Sequence, residues 1–300
     1  MKPELQFFIG KGGVGKSTTS ALTAAYLSEN SYNTLLVSMD PAHNQRDIFQ
    51  QDLSEKPKKI HGRLSVKEVN IDAWIKKYLK ETQKTIQQTY SYESAFNLQN
   101  YFRVLQYSPG LEEYALLLAF EDIVLHSKQN DVIIFDMAPT ALTLRFFSLP
   151  FITLIWLQEL LNLRNKIFGK KEIISKIKFV GKEIEQDKIK SKLAILISNS
   201  ENQRDHFQSP DTHINLVMND DILSYSEALR IKAKLQDIGI SIAKVIVNKA
   251  KGANISERVA REFASQKKDL FPFCESQLLG YEALRSYLNK NRQITFSEYK

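Results

Sequence analysis

The chain has 300 residues, 43% of them hydrophobic, so it can bury a substantial core as one large α/β domain or as two smaller ones. Its single cysteine, Cys274, can form no internal disulfide and supplies no thiolate cluster for zinc or a soft metalloid, which fits a reducing, cytosolic compartment. The formal net charge of +7 invites an acidic partner, yet no basic run is interleaved with stacking aromatics and no zinc-finger or ribonucleoprotein motif occurs, so no nucleic acid is expected.

Nothing ahead of residue 6 resembles a secretory leader; the apolar run 6–9 predicts a first strand, and Gly10-Lys11-Gly12-Gly13-Val14-Gly15-Lys16-Ser17 follows at once. This fits G-x-x-x-x-G-K-S/T, in which glycines let backbone N–H groups turn inward around phosphate oxygens. The helix expected over 18–27, opening on Thr18, then points its positive end at the anion. Lys16 is expected to neutralise the β and γ phosphates, and the Ser17 hydroxyl to ligate Mg²⁺ in place of one water. The chain therefore reads as a nucleoside-triphosphatase. Lys11, judged by position alone, is either a solvated loop residue or a group facing a partner, because the backbone already encloses the loop's own phosphates.

A second strand over 34–38 runs into Met39-Asp40-Pro41-Ala42-His43-Asn44, and a long, mostly helical insertion follows over 72–128. A third strand over 132–136 leads into Asp136-Met137-Ala138-Pro139-Thr140 and then Thr143-Leu144-Arg145. A second helical insertion spans 148–211. The uncharged stretch 146–158 is interrupted by Pro150 and falls short of the roughly 18 apolar residues of a spanning helix, so no integral membrane protein is expected. Residues 193–198 are either a strand or the end of a helix, and further strands are expected over 214–218 and 244–248. This alternation predicts an α/β fold: a doubly wound, mostly parallel sheet of the P-loop type, with a helical subdomain formed by insertions 72–128 and 148–211.

Ligands of such sheets sit at the carboxyl ends of the strands, where Gly10, Asp40, Asp136 and Asn248 fall. Hydrolysis of a γ-phosphate needs a water held in line by a nearby acceptor, a role assigned to Asp40. Asp136 suits a water-mediated hold on Mg²⁺, and Thr140 a contact with the γ-phosphate; Pro41 and Pro139 would limit both loops to few conformations. Taken singly, Asp40-Pro41 and Asp136-Met137-Ala138-Pro139 fit an ordinary turn as well as a switch. Beside the phosphate loop they form a pair of switches. At the base end, Asn248-Lys249 resembles the N-K-x-D element of GTPases, but Lys251 replaces the guanine-reading aspartate, which favours adenine and hence ATP.

Two resemblances narrow this reading. The loop G-K-G-G-V-G-K-S resembles that of the deviant P-loop ATPases, whose signature lysine crosses a dimer interface, which implies a homodimer with Lys11 acting on the partner's nucleotide. Residues 40–44 and 136–145 resemble the D-P-A-H-N and D-x-A-P-T-x-x-T-L-R switches of the arsenite-pump and tail-anchored-protein-targeting ATPases. That likeness runs from the first strand through Leu284 and is weakest over 166–206. It implies switch roles for His43 and Asn44, base contacts for Asn248, Pro272 and Phe273, and a nucleotide-proximal acid at Asp221, where the family carries a glutamate.

Three features separate the branches. Arsenite binding needs several thiolates; Ala141-Leu142 replace the usual Gly-His, removing a possible ligand; and Ser108-Pro109-Gly110-Leu111-Glu112-Glu113 resembles the targeting branch's P-G-x-x-E segment. The resemblance thus implies an ATPase that carries the transmembrane helix of a client to a membrane receptor. The alternatives are a pump-driving ATPase and a client-free nucleotide switch. Loss of the glycine at position 141 implies slow hydrolysis, and the lack of any C-x-x-C leaves no intersubunit zinc. The candidate client surfaces are 111–125 and 146–163, although helices apolar all round are more often core.

Overall fold

The computed structural model describes residues 2–89, 105, 107–177, 188–252 and 254–295. It divides into two compact units, one formed by Met1–Phe146 with Pro210–Lys300 and the other by Phe147–Ser209. The strands are β1 (Glu4–Ile9), β2 (Thr34–Ser38), β3 (Lys58–His61), β4 (Leu64–Glu68), β5 (Val132–Asp136), β6 (Thr212–Asn219), β7 (Ile242–Ala250) and β8 (Lys267–Pro272). They form one sheet in the order β3-β4-β2-β5-β1-β6-β7-β8, parallel throughout except where β3 pairs with β4. The doubly wound α/β reading holds, and the chain's path reverses about β1, placing the phosphate loop where such sheets bind ligands.

β2 and β5 are buried at every position, which is why they read as unbroken apolar runs. On one face Phe7 stacks on Phe135 with centroids 4.8 Å apart, and Phe120 of α4 (Leu111–His126) meets Phe135 edge-on at 5.3 Å. Each such pair adds about 0.5–1.5 kcal/mol beyond its area. On the other face Phe8, Leu36, Ile134, Val217 and Ile246 share a cluster with α1 (Lys16–Glu29) and α9 (Tyr281–Thr295). α1 comes close to the sheet because it presents Ala21, Ala24 and Ala25, all fully buried.

Three strands escape the sequence pattern because they carry charge. β3 is an exposed edge; β4 buries Lys67, which pairs with Glu55 at 3.6 Å; and β8 buries Asp269, held by Lys244 at 2.7 Å. Paired charges let such segments enter a sheet that unpaired ones would break. The remaining helices of this unit are α2 (Asn44–Phe49), α3 (Ile71–Thr89), α7 (Ile222–Asp237) and α8 (Glu257–Glu262).

α5 (Thr140–Ile177) begins in the first unit, and its greater part joins α6 (Lys188–Phe207) in the second. Residues 193–198 are helical, inside α6. Pro150 does not interrupt the apolar stretch as the sequence suggested: it lies within α5, where its fixed φ is compatible with the helix, although an interior proline lacks the N–H donor and crowds the carbonyl four residues before it. Thr140–Lys166 is consequently long and apolar enough to cross a membrane, a test that core helices of soluble proteins also pass.

In the second unit Phe147 packs edge-on against Phe207 at 5.0 Å, and Leu154 and Leu157 are buried. Ile152, Ile155, Trp156 and Leu163 are exposed; their spacing places them on the other side of the helix. The candidate surface at 111–125 is mostly core, with Leu116, Leu117, Ala119 and Phe120 sealed and Leu125 exposed.

Candidate functional site

Gly10 closes β1 at φ +150°, where a Cβ would collide with the carbonyl oxygen of Val217 on β6. Gly15 caps α1 in the left-handed region at φ +94°, where a Cβ would collide with Nδ2 of Asn248. The Asn248 amide uses that space to donate to the Val14 carbonyl at 2.7 Å, so the end of β7 holds the loop's shape. Lys249, itself left-handed at φ +54°, donates to the Gly13 carbonyl at 3.2 Å. Lys16 is buried, with Nζ 3.4 Å from the Lys11 carbonyl. Burial lowers its pKa, and the nearby Asp136 and Asp40 carboxylates oppose that shift. A bound phosphate would add the anion that favours the charged amine.

The two Asp-Pro segments meet the loop through one side chain. Gln45 of α2 is wholly buried, and its Nε2 lies 2.8 Å from Asp136 Oδ2, 3.0 Å from the Ser17 carbonyl and 3.1 Å from Ser20 Oγ. Asp136, also wholly buried, is pushed up to about 6 by desolvation, against hydrogen bonds from Gln45 and the Ser17 hydroxyl and the charge of Lys16. Its Oδ1 is a buried acceptor with no partner. That lone acceptor beside the Ser17 hydroxyl fits a cation's hydration shell, whereas no group of three His, Cys, Asp or Glu able to hold a metal occurs among the described residues. Asp40 is buried, with its Oδ1 accepting from Ala42 N at 3.0 Å. His43 and Gln50 flank α2 at φ +53° and +52°, so this short helix sits between two left-handed residues. His43 Nδ1 approaches buried Glu68 at 3.4 Å, and Arg46 N donates to the same carboxylate at 3.0 Å.

One cavity of about 680 Å³, a size suited to a small-molecule ligand, opens over the loop. Gly12, Gly13, Gly15, Lys16, Ser17, Thr18, Asp40, Asn44, Pro139, Asn248, Pro272 and Phe273 line it. Gly10, Val14 and Asp136 lie outside the lining, as do Lys11, Pro41, His43 and Thr140. The wall beyond Phe273 continues through Cys274 and Ser276 to Leu279, and is tied down by Tyr287, whose hydroxyl donates to the Pro272 carbonyl at 2.8 Å. Gly280 N donates to the Ile48 carbonyl at 2.7 Å, joining this wall to α2. Asp221, expected near the nucleotide, also lies outside the lining. It is the N-cap of α7, where its carboxylate accepts from Ser224 N at 2.8 Å.

Sequence reasoning missed Gln45, Glu68 and Lys249 as members of the site, whereas the wall at 274–279 continues the Pro272-Phe273 segment that the resemblance had set beside the base. Gln45 and Glu68 are polar residues in short elements, and nothing in their spacing announces burial. Lys249 stood in view beside Asn248, but only its left-handed backbone turns it toward the loop.

Residues 4–281 match the anion-transporting ATPase family. A putative arsenical pump-driving ATPase 2 of Aquifex aeolicus (strain VF5) is 26% identical over 303 residues, covering 94% of this chain and 96% of that one. An ATPase ASNA1 homolog of Cryptosporidium parvum (strain Iowa II) is 29% identical over 98% of this chain and 81% of its own length. Another, from Entamoeba histolytica, is 30% identical over 81% of this chain and 75% of its own. A phosphate loop at the switch point of a parallel sheet, joined to a match over nearly the whole length, leads to one assignment: the chain belongs to the anion-transporting ATPase family and is an ATPase.

Proposed function

We propose that the chain hydrolyses ATP to ADP and phosphate as a Mg²⁺-dependent cytosolic homodimer. The nucleotide cycle would drive binding and release of a client's transmembrane helix ahead of a membrane receptor. The observation that carries the client half is the stripe Ile152, Ile155, Trp156 and Leu163 on α5, with Ile155 and Trp156 66% and 65% exposed. Large apolar side chains gathered on one helical face in water are a surface built for an apolar partner. The exposed Ile195 and Leu196 of α6 lie in the same unit.

For the chemistry, backbone N–H groups of residues 12–18 and the amine of Lys16 bind the phosphates, and their charge favours the transition state over the ground state. Asp40, on the cavity wall, accepts from the attacking water and keeps it in line. The Ser17 hydroxyl and, through water, Asp136 are the groups that fit Mg²⁺, which when bound neutralises charge on the β- and γ-oxygens. Lys11 does not border its own cavity, which supports its acting on the nucleotide of a second subunit. Asn248 contributes by shaping the loop, and Pro272 and Phe273 supply an apolar wall for the base.

The name of the Aquifex aeolicus relative favours a second reading, an ATPase that drives an arsenical pump. A soft metalloid requires several thiolates, and this chain has one cysteine.

The deciding experiment expresses Asp40→Asn, traps it with ATP and identifies what co-purifies, alongside the same protein carrying Ile155→Ser and Trp156→Ser. Proteins bearing one C-terminal apolar helix, lost with the serine pair, are the expected result. Retention of the same proteins by the serine pair, or a soluble partner only, would overturn the targeting reading. Stimulation of the wild-type ATPase by arsenite would favour the pump.

A further inference from the structure

We infer that Gln45 is a positioning residue of this ATPase: its amide fixes Asp136 and Ser17 against each other and leaves Asp136 Oδ1 as the one carboxylate oxygen open to a metal-bound water. The inference rests on the Mg²⁺ reading above.

The geometry is specific. One nitrogen stands within 3.1 Å of three acceptors on two elements: Asp136 Oδ2 at the end of β5, and the Ser17 carbonyl and Ser20 Oγ at the start of α1. An amide nitrogen has two hydrogens. The shortest contact, 2.8 Å, takes one of them to Asp136, and the Ser17 carbonyl and Ser20 Oγ divide the other. Ser20 gives its own proton to the Ser17 carbonyl at 2.9 Å, so its oxygen is available to accept. The two residues that fit the cation are thereby joined through a single group on α2, the helix that follows the first switch segment.

Packing alone does not account for a glutamine here. Gln45 Oε1 is buried with no hydrogen-bond partner, a cost that a methionine or leucine of similar size would not carry. The donor end offsets that cost, and what it holds is the carboxylate. α2 is also a suitable mount. Left-handed residues bound it on both sides, Ile48 and Phe49 bury it, and Gly280 N grips its Ile48 carbonyl at 2.7 Å. Groups that orient a ligand of a metal commonly shift metal affinity or activity by about 10- to 100-fold when removed.

The test replaces Gln45→Met, which keeps the volume and removes the donor, in the full chain. Three quantities are read: the Mg²⁺ concentration at half-maximal ATPase rate, calorimetric binding of ATP with Mg²⁺ and in chelator, and the thermal midpoint. The expected result is an increase of about tenfold in the Mg²⁺ requirement, a matching loss of the Mg²⁺-dependent part of ATP affinity, and unchanged binding in chelator. Asp136→Asn alone should raise the Mg²⁺ requirement, and adding Gln45→Met to it should change little. A wild-type Mg²⁺ response in Gln45→Met, or effects that multiply in the double variant, would overturn the inference. A fall in thermal midpoint with an unaltered Mg²⁺ response would reduce Gln45 to a structural residue. Gln45→Asn, too short to reach all three acceptors, should give the same Mg²⁺ shift and serves if the methionine variant does not fold. Should Asp136→Asn itself leave the Mg²⁺ requirement unmoved, the Mg²⁺ reading fails, separately from the role of Gln45.

Discussion

Replacing Asp136→Asn should change how the stability of the nucleotide-free protein depends on pH. Burial raises the Asp136 carboxyl from its ordinary 3.8 to about 6. Between those values the native protein holds a proton that the unfolded chain has released, so this group's contribution makes stability fall as pH rises through the window and levels off above about 6. A difference of about 2 pH units, at about 1.4 kcal/mol each, puts the cost of the buried carboxylate near 3 kcal/mol once it is ionised. The asparagine does not titrate and carries no such cost. Relative to wild type it should therefore gain about 2 kcal/mol between about pH 4.5 and about pH 8, whatever fixed offset the new amide brings. Urea unfolding of both proteins across that range, in chelator and without nucleotide, measures the difference, and titrating groups remote from Asp136 cancel in it, whereas Lys16 and Asp40 beside it do not. Parallel pH curves, or a wild type that gains on the variant as pH rises, would refute the argument.

Gly15→Ala forces a left-handed alanine and drives the Asn248 amide off the Val14 carbonyl, so stability should fall by about 2–3 kcal/mol and ATP affinity by about tenfold or more. Calorimetry and urea unfolding read both, and wild-type ATP binding would contradict the account of the loop. Arg145→Met leaves the buried Glu113 carboxylate without its 2.8 Å partner. Because the arginine is largely exposed, the pair is screened, and the cost should come from the unmet carboxylate, about 1–3 kcal/mol. Adding Glu113→Gln should recover most of that loss in the same unfolding assay; simple additivity of the two changes would show that they do not act as a pair.

The central strands β1, β2 and β5 were legible because burial on both faces writes itself as an unbroken apolar run, and the phosphate loop because Gly10 and Gly15 occupy places where a Cβ collides. β4 and β8 were not legible, since Lys67 and Asp269 enter the sheet only by pairing with Glu55 and Lys244, partners 12 and 25 residues away. Pro150 misled for a related reason. A proline predicts a break when the helix has only local hydrogen bonds, and residues packed on either side, such as Phe146, Phe147 and Leu154, hold α5 together across it.

The sequence by itself determined the kind of fold, the phosphate loop with Lys16 and Ser17, and the two aspartate segments, because all of these are local: they depend on periodicity and on residues adjacent in the chain. Only the tertiary structure decided how those segments are joined. Gln45 beneath them, Asn248 against the loop, Asp221 turned into a helix cap and half of an apolar helix left facing water are all outcomes of which distant segment packs beside which. A polar or apolar side chain does not carry in its own identity whether it will be buried, paired or left exposed. That is fixed when the sheet brings strand ends together from across 300 residues.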